Sequence, residues 1–130
     1  MVTIALDCMG GDYAPKSVVD GIMKYLESEN EEVSFLLTGQ EEKIKPCFPH
    51  GEVPERVRII PSPEVFAMDE KPSMILKRPE TSLHKAAALV RDKEADALVS
   101  AGNTGGLLAA ATFLIGRIKG VKRPALITPI

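Results

Sequence analysis

The apolar runs of this chain lack the regular polar alternation of a half-buried strand. "VTIALD" (Val2–Asp7), "VSFLLT" (Val33–Thr38), "RVRIIP" (Arg56–Pro61) and "ADALVS" (Ala95–Ser100) read as strands of this kind. A strand with one wet face alternates; a strand covered on both faces need not. Between them lie stretches with helical spacing. Lys16–Glu29 carries Val18, Val19, Ile22, Met23 and Leu26, and Ser82–Lys93 carries Leu83, Ala86, Ala87 and Val90 on one face. Thr104–Ile118 is almost wholly apolar, which predicts a helix buried on several sides. "TGQE" (Thr38–Glu41) fits a capping box opening a short helix that Pro46 and Pro49 end. An irregular connection follows Pro61, with a short helix near Pro72–Lys77, and Arg123–Ile130 begins a fifth strand. This alternation predicts an α/β fold: a mainly parallel sheet with helices on both faces, a three-layer α/β/α arrangement.

The 130 residues suit a single domain, 1–130. Aromatic residues make up 5% against 45% apolar, so the core must be aliphatic. A formal charge of -2 gives no electrostatic reason to expect nucleic acid or a membrane surface as partner. No apolar run approaches the ~20 residues of a spanning helix, and "MVTIALD" lacks the charged start of a signal peptide. Cys8 and Cys47 are far apart and have no His or Cys neighbours, which argues against zinc and favours two free thiols over a disulfide. The chain stops inside an apparent strand, "RPALITPI", as the N-terminal part of a longer protein would.

Two glycine breaks carry the chemistry. "DCMGGDYAP" follows the first strand, and "SAGNTGG" follows the strand ending near Ser100. In open α/β sheets ligands bind beyond the carboxyl ends of the strands. Glycines there let a ligand approach the backbone, and the next helix offers unpaired N–H groups to an anion. Ser100, Asn103 and Thr104 add short polar side chains, while Gly102, Gly105 and Gly106 are expected to keep the backbone open. Capping of the helix by Asn103 or Thr104 is an equally good reading. The second break is neither a Walker loop nor a GxGxxG fingerprint. In the first break, Gly10 and Gly11 lie between Asp7 and Asp12. Asp7 is expected to face the cleft, and Asp12 equally well caps the next helix, with Pro15 in its first turn. Lys71, Lys77 and Arg78 are candidates to neutralise a phosphate, against the plainer reading of a solvated loop. His84 reads as a helix-start residue and His50 as loop.

"IALDCMGGDYAP", "DEKPSMILKRPETSL", "SAGNTGG" and "KGVKRPAL", in that order, resemble the phosphate acyltransferases of bacterial phospholipid synthesis. The resemblance runs from Val2 to Pro129, with departures at Cys8, Pro79 and Gly106. It implies a fold similar to phosphotransacetylases and the isocitrate and isopropylmalate dehydrogenases. It implies transfer of a fatty acyl group from acyl carrier protein to inorganic phosphate, without an organic cofactor. It further implies a cytoplasmic homodimer and a membrane acyltransferase that uses the product. Peripheral contact with the inner membrane face is implied for regions beyond this chain. Phosphate is the nucleophile, so none is required of the enzyme; Cys8 as an acyl acceptor is the less favoured alternative. On this reading Asp7 and Asn103 are the candidate catalytic residues. Gly10, Gly11, Asp12, Lys77, Arg78, Ser100, Gly102, Thr104 and Gly105 line the substrate and phosphate site. Two other functions stay open: a phosphotransacetylase-like enzyme using coenzyme A thioesters, and a non-catalytic module binding an anion or a carrier protein.

Overall fold

A computed structural model describes residues 2–28, 32–116 and 119–120. The element order is β1 (Val2–Asp7), α1 (Lys16–Leu26), β2 (Val33–Gly39), α2 (Glu41–Ile44), β3 (Val57–Pro61), α3 (Ser82–Arg91), β4 (Ala97–Ser100) and α4 (Thr104–Ala110). A 3-10 segment, Pro72–Lys77, precedes α3, and α4 continues as a π turn, Ala111–Ile115. The four strands form one parallel sheet in the order β3-β2-β1-β4.

The missing alternation has the expected cause: both faces of the sheet are covered. Ile4, Leu6, Phe35, Leu37, Val57 and Ile59 pack with Val19 and Ile22 of α1 and with Ile44 and Phe48. On the opposite face Ala5, Leu36, Ile60 and Leu98 pack with Ala86 and Leu89 of α3. The fold is a three-layer α/β/α arrangement.

The predicted elements are present, with shorter ends. α3 stops at Arg91, and Lys93 takes a positive φ of 63°. The fourth strand starts at Ala97, because the Ala95 N–H turns back to the Leu89 carbonyl. The third begins at Val57, with the Arg56 Nε donating to the Val33 carbonyl at 2.9 Å. The capping box does not form. Thr38 belongs to β2, and its hydroxyl donates to the Ser82 carbonyl at 2.7 Å; Gln40 occupies the cap position, and its side chain makes no capping bond. The last helix is not buried on several sides. It packs against α3 and the Pro72–Lys77 segment, leaving Phe113 70% exposed. The fifth strand, Arg123–Ile130, lies outside the described residues.

This strand order positions the site. From β1 the chain moves outward through β2 to β3, then returns to place β4 on the other side of β1. The β1/β4 boundary is therefore the topological switch point, the place on an open α/β sheet where ligands bind. Both glycine breaks start there.

Candidate functional site

Asp7 and Ser100 are paired neighbours at the ends of β1 and β4. The Asp7 carboxylate accepts from the Ser82 hydroxyl at 2.5 Å, the Ser100 hydroxyl at 2.9 Å and the Met9 N–H at 3.2 Å. One buried acceptor thus joins β4, the first turn of α3 and the first glycine break. Asp7 was expected to face the cleft, and a helix cap was one of two readings of Asp12. The structure corrects both. Asp7 is 3% exposed, closed in by the loops it holds. Asp12 is exposed and caps nothing; Pro15 stands at the cap position of α1 rather than in its first turn.

The glycines explain how the two breaks close over Asp7. A Cβ on Gly10 would lie 2.7 Å from Asp7 Oδ2 and 2.9 Å from the Gly102 nitrogen. A Cβ on Gly102 would lie 3.2 Å from the Gly10 Cα. The loops meet backbone to backbone, and only glycine allows that approach. Gly11 supplies the reversal, with φ of 105°. The Ser100 hydroxyl also accepts from the Gly102 N–H at 3.1 Å, which tightens the second break.

The remaining glycines of that break are not open backbone, contrary to expectation. A Cβ on Gly105 would meet Pro72 at 2.5 Å, and one on Gly106 would meet Phe66 at 2.7 Å. They let the segment before α3 lie directly on the start of α4. Asn103 completes the join. Its Oδ1 accepts from the Gly106 N–H at 2.9 Å, as a helix cap. Its amide nitrogen faces the carbonyls of Ala67, Met68 and Glu70 at 3.1, 3.2 and 2.9 Å. Thr104 stands exposed at the first position of α4.

The basic candidates divide. Arg78 is paired with Glu70 and with Glu64, the latter at 2.9 Å, so its charge is already balanced. Lys71 and Lys77, at the two ends of the Pro72–Lys77 segment, are exposed and form no ion pair among the described residues. Cys8 is fully buried, and burial, reinforced by Asp7 and Cys47, pushes its thiol up to about 12. A thiol held in that state is a poor nucleophile at neutral pH. Both cysteines are free. His84 lies in the first turn of α3, and its pKa is lowered, chiefly by burial and then by Arg91. Among the described residues no three His, Cys, Asp or Glu side chains cluster to hold a metal.

The model of the fatty acid synthesis protein family matches residues 2–130. The chain belongs to that family. Similar curated relatives of the family include a protein named phosphate acyltransferase from Desulfitobacterium hafniense, 49% identical over 98% of this chain and 38% of its own length. Proteins of the same name from Thermosipho africanus (42% identical, 100% of this chain, 38% of theirs) and Leuconostoc mesenteroides (45%, 98% and 36%) match as broadly. The chain thus spans less than two-fifths of the length of these relatives.

Two residues of the site escape a reading of the sequence. Ser82 has the look of an ordinary helix start, yet its hydroxyl makes the shortest bond to Asp7 and its carbonyl accepts from Thr38. Thr38 looks like a strand end or the start of a capping box. Their one signal is chemical: hydroxyls placed at fully buried positions need partners.

Proposed function

We propose that this chain forms the N-terminal part of a phosphate acyltransferase, with the β1/β4 crevice as one wall of its active site. The observation that carries the reading is the closure of both glycine breaks around Asp7 at the switch point, in a chain whose relatives bear that name. The acyl donor is the thioester of acyl carrier protein, and the product is an acyl phosphate for phospholipid synthesis. A phosphate oxygen attacks the thioester carbonyl; the C–O bond forms, the C–S bond breaks, and the thiol leaves with a proton. Phosphate supplies the nucleophile, so the protein must position and neutralise. The inert Cys8 fits this non-covalent route.

The geometry supports the following residue roles. Asp7 is a positioning residue that fixes Ser82, Ser100 and the first break. Asn103 holds residues 67–70 against α4. Thr104 faces phosphate, Gly105 gives its open face to Pro72 instead, and Lys77, with Lys71, supplies positive charge. Arg78, already paired twice, shapes the loop and joins the phosphate only if those pairs open. Gly10, Gly11 and Gly102 set the wall, and Asp12 stands at its outer rim. A cytoplasmic homodimer, a membrane acyltransferase as recipient of the product and peripheral membrane contact through regions outside this chain complete the proposal. No helix of the described residues is long and apolar enough to cross a membrane.

Hydroxylamine trapping tests the reading. The natural-length protein, given acyl carrier protein thioester and phosphate, should yield hydroxamate above a phosphate-free control. No excess hydroxamate refutes the assignment, and faster turnover of coenzyme A thioesters points to the phosphotransacetylase-like alternative.

A further inference from the structure

A pocket opens on the same edge of the sheet, beyond the ends of β2 and β3. Its volume is 240 Å³, and Gly39, Gln40, Pro61, Ser62 and Pro63 form its walls. Ser62 is 1% exposed, and its hydroxyl has no partner among the described residues. The Gln40 side-chain oxygen is also buried and unpartnered. Gln40 Nε2 donates to the Pro63 carbonyl at 2.8 Å, which fixes the amide and leaves its oxygen as the unused end. Buried polar groups without partners are costly, and folds retain few of them.

The geometry points to a subsite for a secondary amide. Such a group has one N–H, which Gln40 Oε1 accepts, and one carbonyl, which accepts from the Ser62 hydroxyl. The rings of Pro61 and Pro63 offer apolar contact to flanking methylenes. An anion is disfavoured, because Glu41 and Glu42 also line the pocket. Those two carboxylates are exposed and solvated, whereas the inner pair is neutral, so a neutral ligand matches better than an ammonium group. The location suits the acyl donor proposed above, and the inference rests on that reading. Gly39 and Pro61 are paired neighbours, and β2 lies directly beside β1. At roughly 5 Å per strand, the pocket is about 5–10 Å from the crevice along the strand ends. A pantetheine arm carries secondary amides behind its sulfur, so amide capture here would direct the thioester towards Asp7 and Thr104.

The test uses the isotope-labelled full chain and pantetheine as probe. Saturable NMR shifts at Gly39, Gln40, Glu41 and Ser62 are expected, and Ser62→Ala should weaken binding about 2–10-fold, as for loss of one hydrogen bond. Since the Ser62 hydroxyl bonds nothing among the described residues, Ser62→Ala should keep or raise the thermal midpoint, which separates a ligand role from a structural one. Shifts with glycerol equal to those with pantetheine, no shifts at these residues, or undiminished binding by Ser62→Ala would each overturn the subsite. The trapping assay is independent. Pantetheine binding here without hydroxamate keeps the subsite and removes the acyl-transfer reading. Hydroxamate formation with no pantetheine response does the reverse.

Discussion

Gly10→Ala and Gly21→Ala are the same chemical change with opposite expected signs. At Gly10 the new methyl would stand 2.7 Å from Asp7 Oδ2, 2.9 Å from Gly102 N and 3.0 Å from Gly102 Cα. Two of those atoms are backbone and the third belongs to a carboxylate held by three donors, so no side chain can swing aside. The loops must part. Overpacking of this kind costs about 1–3 kcal/mol. Parting also stretches the Ser100–Asp7 bond, a charge-assisted contact worth about 1.5–3 kcal/mol when lost entirely. With that bond only partly lost, a total of about 2–4 kcal/mol is expected. At Gly21, inside α1, a Cβ meets nothing within 4 Å. There alanine should stabilise by about 0.5–1 kcal/mol through helix propensity. Urea unfolding of both variants beside the parent measures the difference. A Gly10→Ala midpoint at or above that of the parent would refute the backbone-to-backbone closure of the two breaks.

Other outcomes follow from the same geometry. Asn103→Asp keeps the cap but loses the amide donors, so by limited proteolysis it should loosen residues 67–70 while α4 stays formed; equal resistance to the parent contradicts the bracing role. Thiol titration at pH 8 should find one fast cysteine, Cys47, and a second, Cys8, that reacts only in denaturant; two fast thiols would contradict it. Because the folded Cys8 pKa is raised from 9.0 to about 12, the unfolded chain loses that proton first, so stability should fall as pH rises from 9 towards 12, and Cys8→Ala should flatten that slope in a pH series of unfolding curves. The His84 pKa is lowered, so its contribution is present above the ordinary 6.5 and lost as pH falls below it; His84→Gln should remove that part of the acid slope.

The layers of the fold are legible in the sequence because they rest on periodicity. "VTIALD" lacks alternation, and both faces of β1 are indeed covered, Ile4 and Leu6 towards α1 and Ala5 towards α3. Element ends are less legible, since they depend on single partners such as the Leu89 carbonyl that captures Ala95. The site is legible only in part. Two glycine breaks mark its place, but spacing alone does not distinguish a glycine that admits a ligand from one that admits another loop. Gly10 and Gly102 prove to be of the second kind, and Gly105 and Gly106 accommodate Pro72 and Phe66. Asp7 and Asp12 look alike along the chain. Their difference comes from Ser82, 75 residues downstream, whose hydroxyl reaches only one of them. No local pattern encodes such a contact.

On the function proposed here, phosphate binds beside the junction of the two glycine breaks, at the start of α4. A phosphate titration of the isotope-labelled protein, followed by backbone amide NMR at constant ionic strength, tests it most directly. Saturable shifts at Gly10–Asp12 and at Ser100–Gly105, not reproduced by chloride, are the predicted result. Saturation centred on other residues, or shifts that chloride reproduces in full, would contradict it.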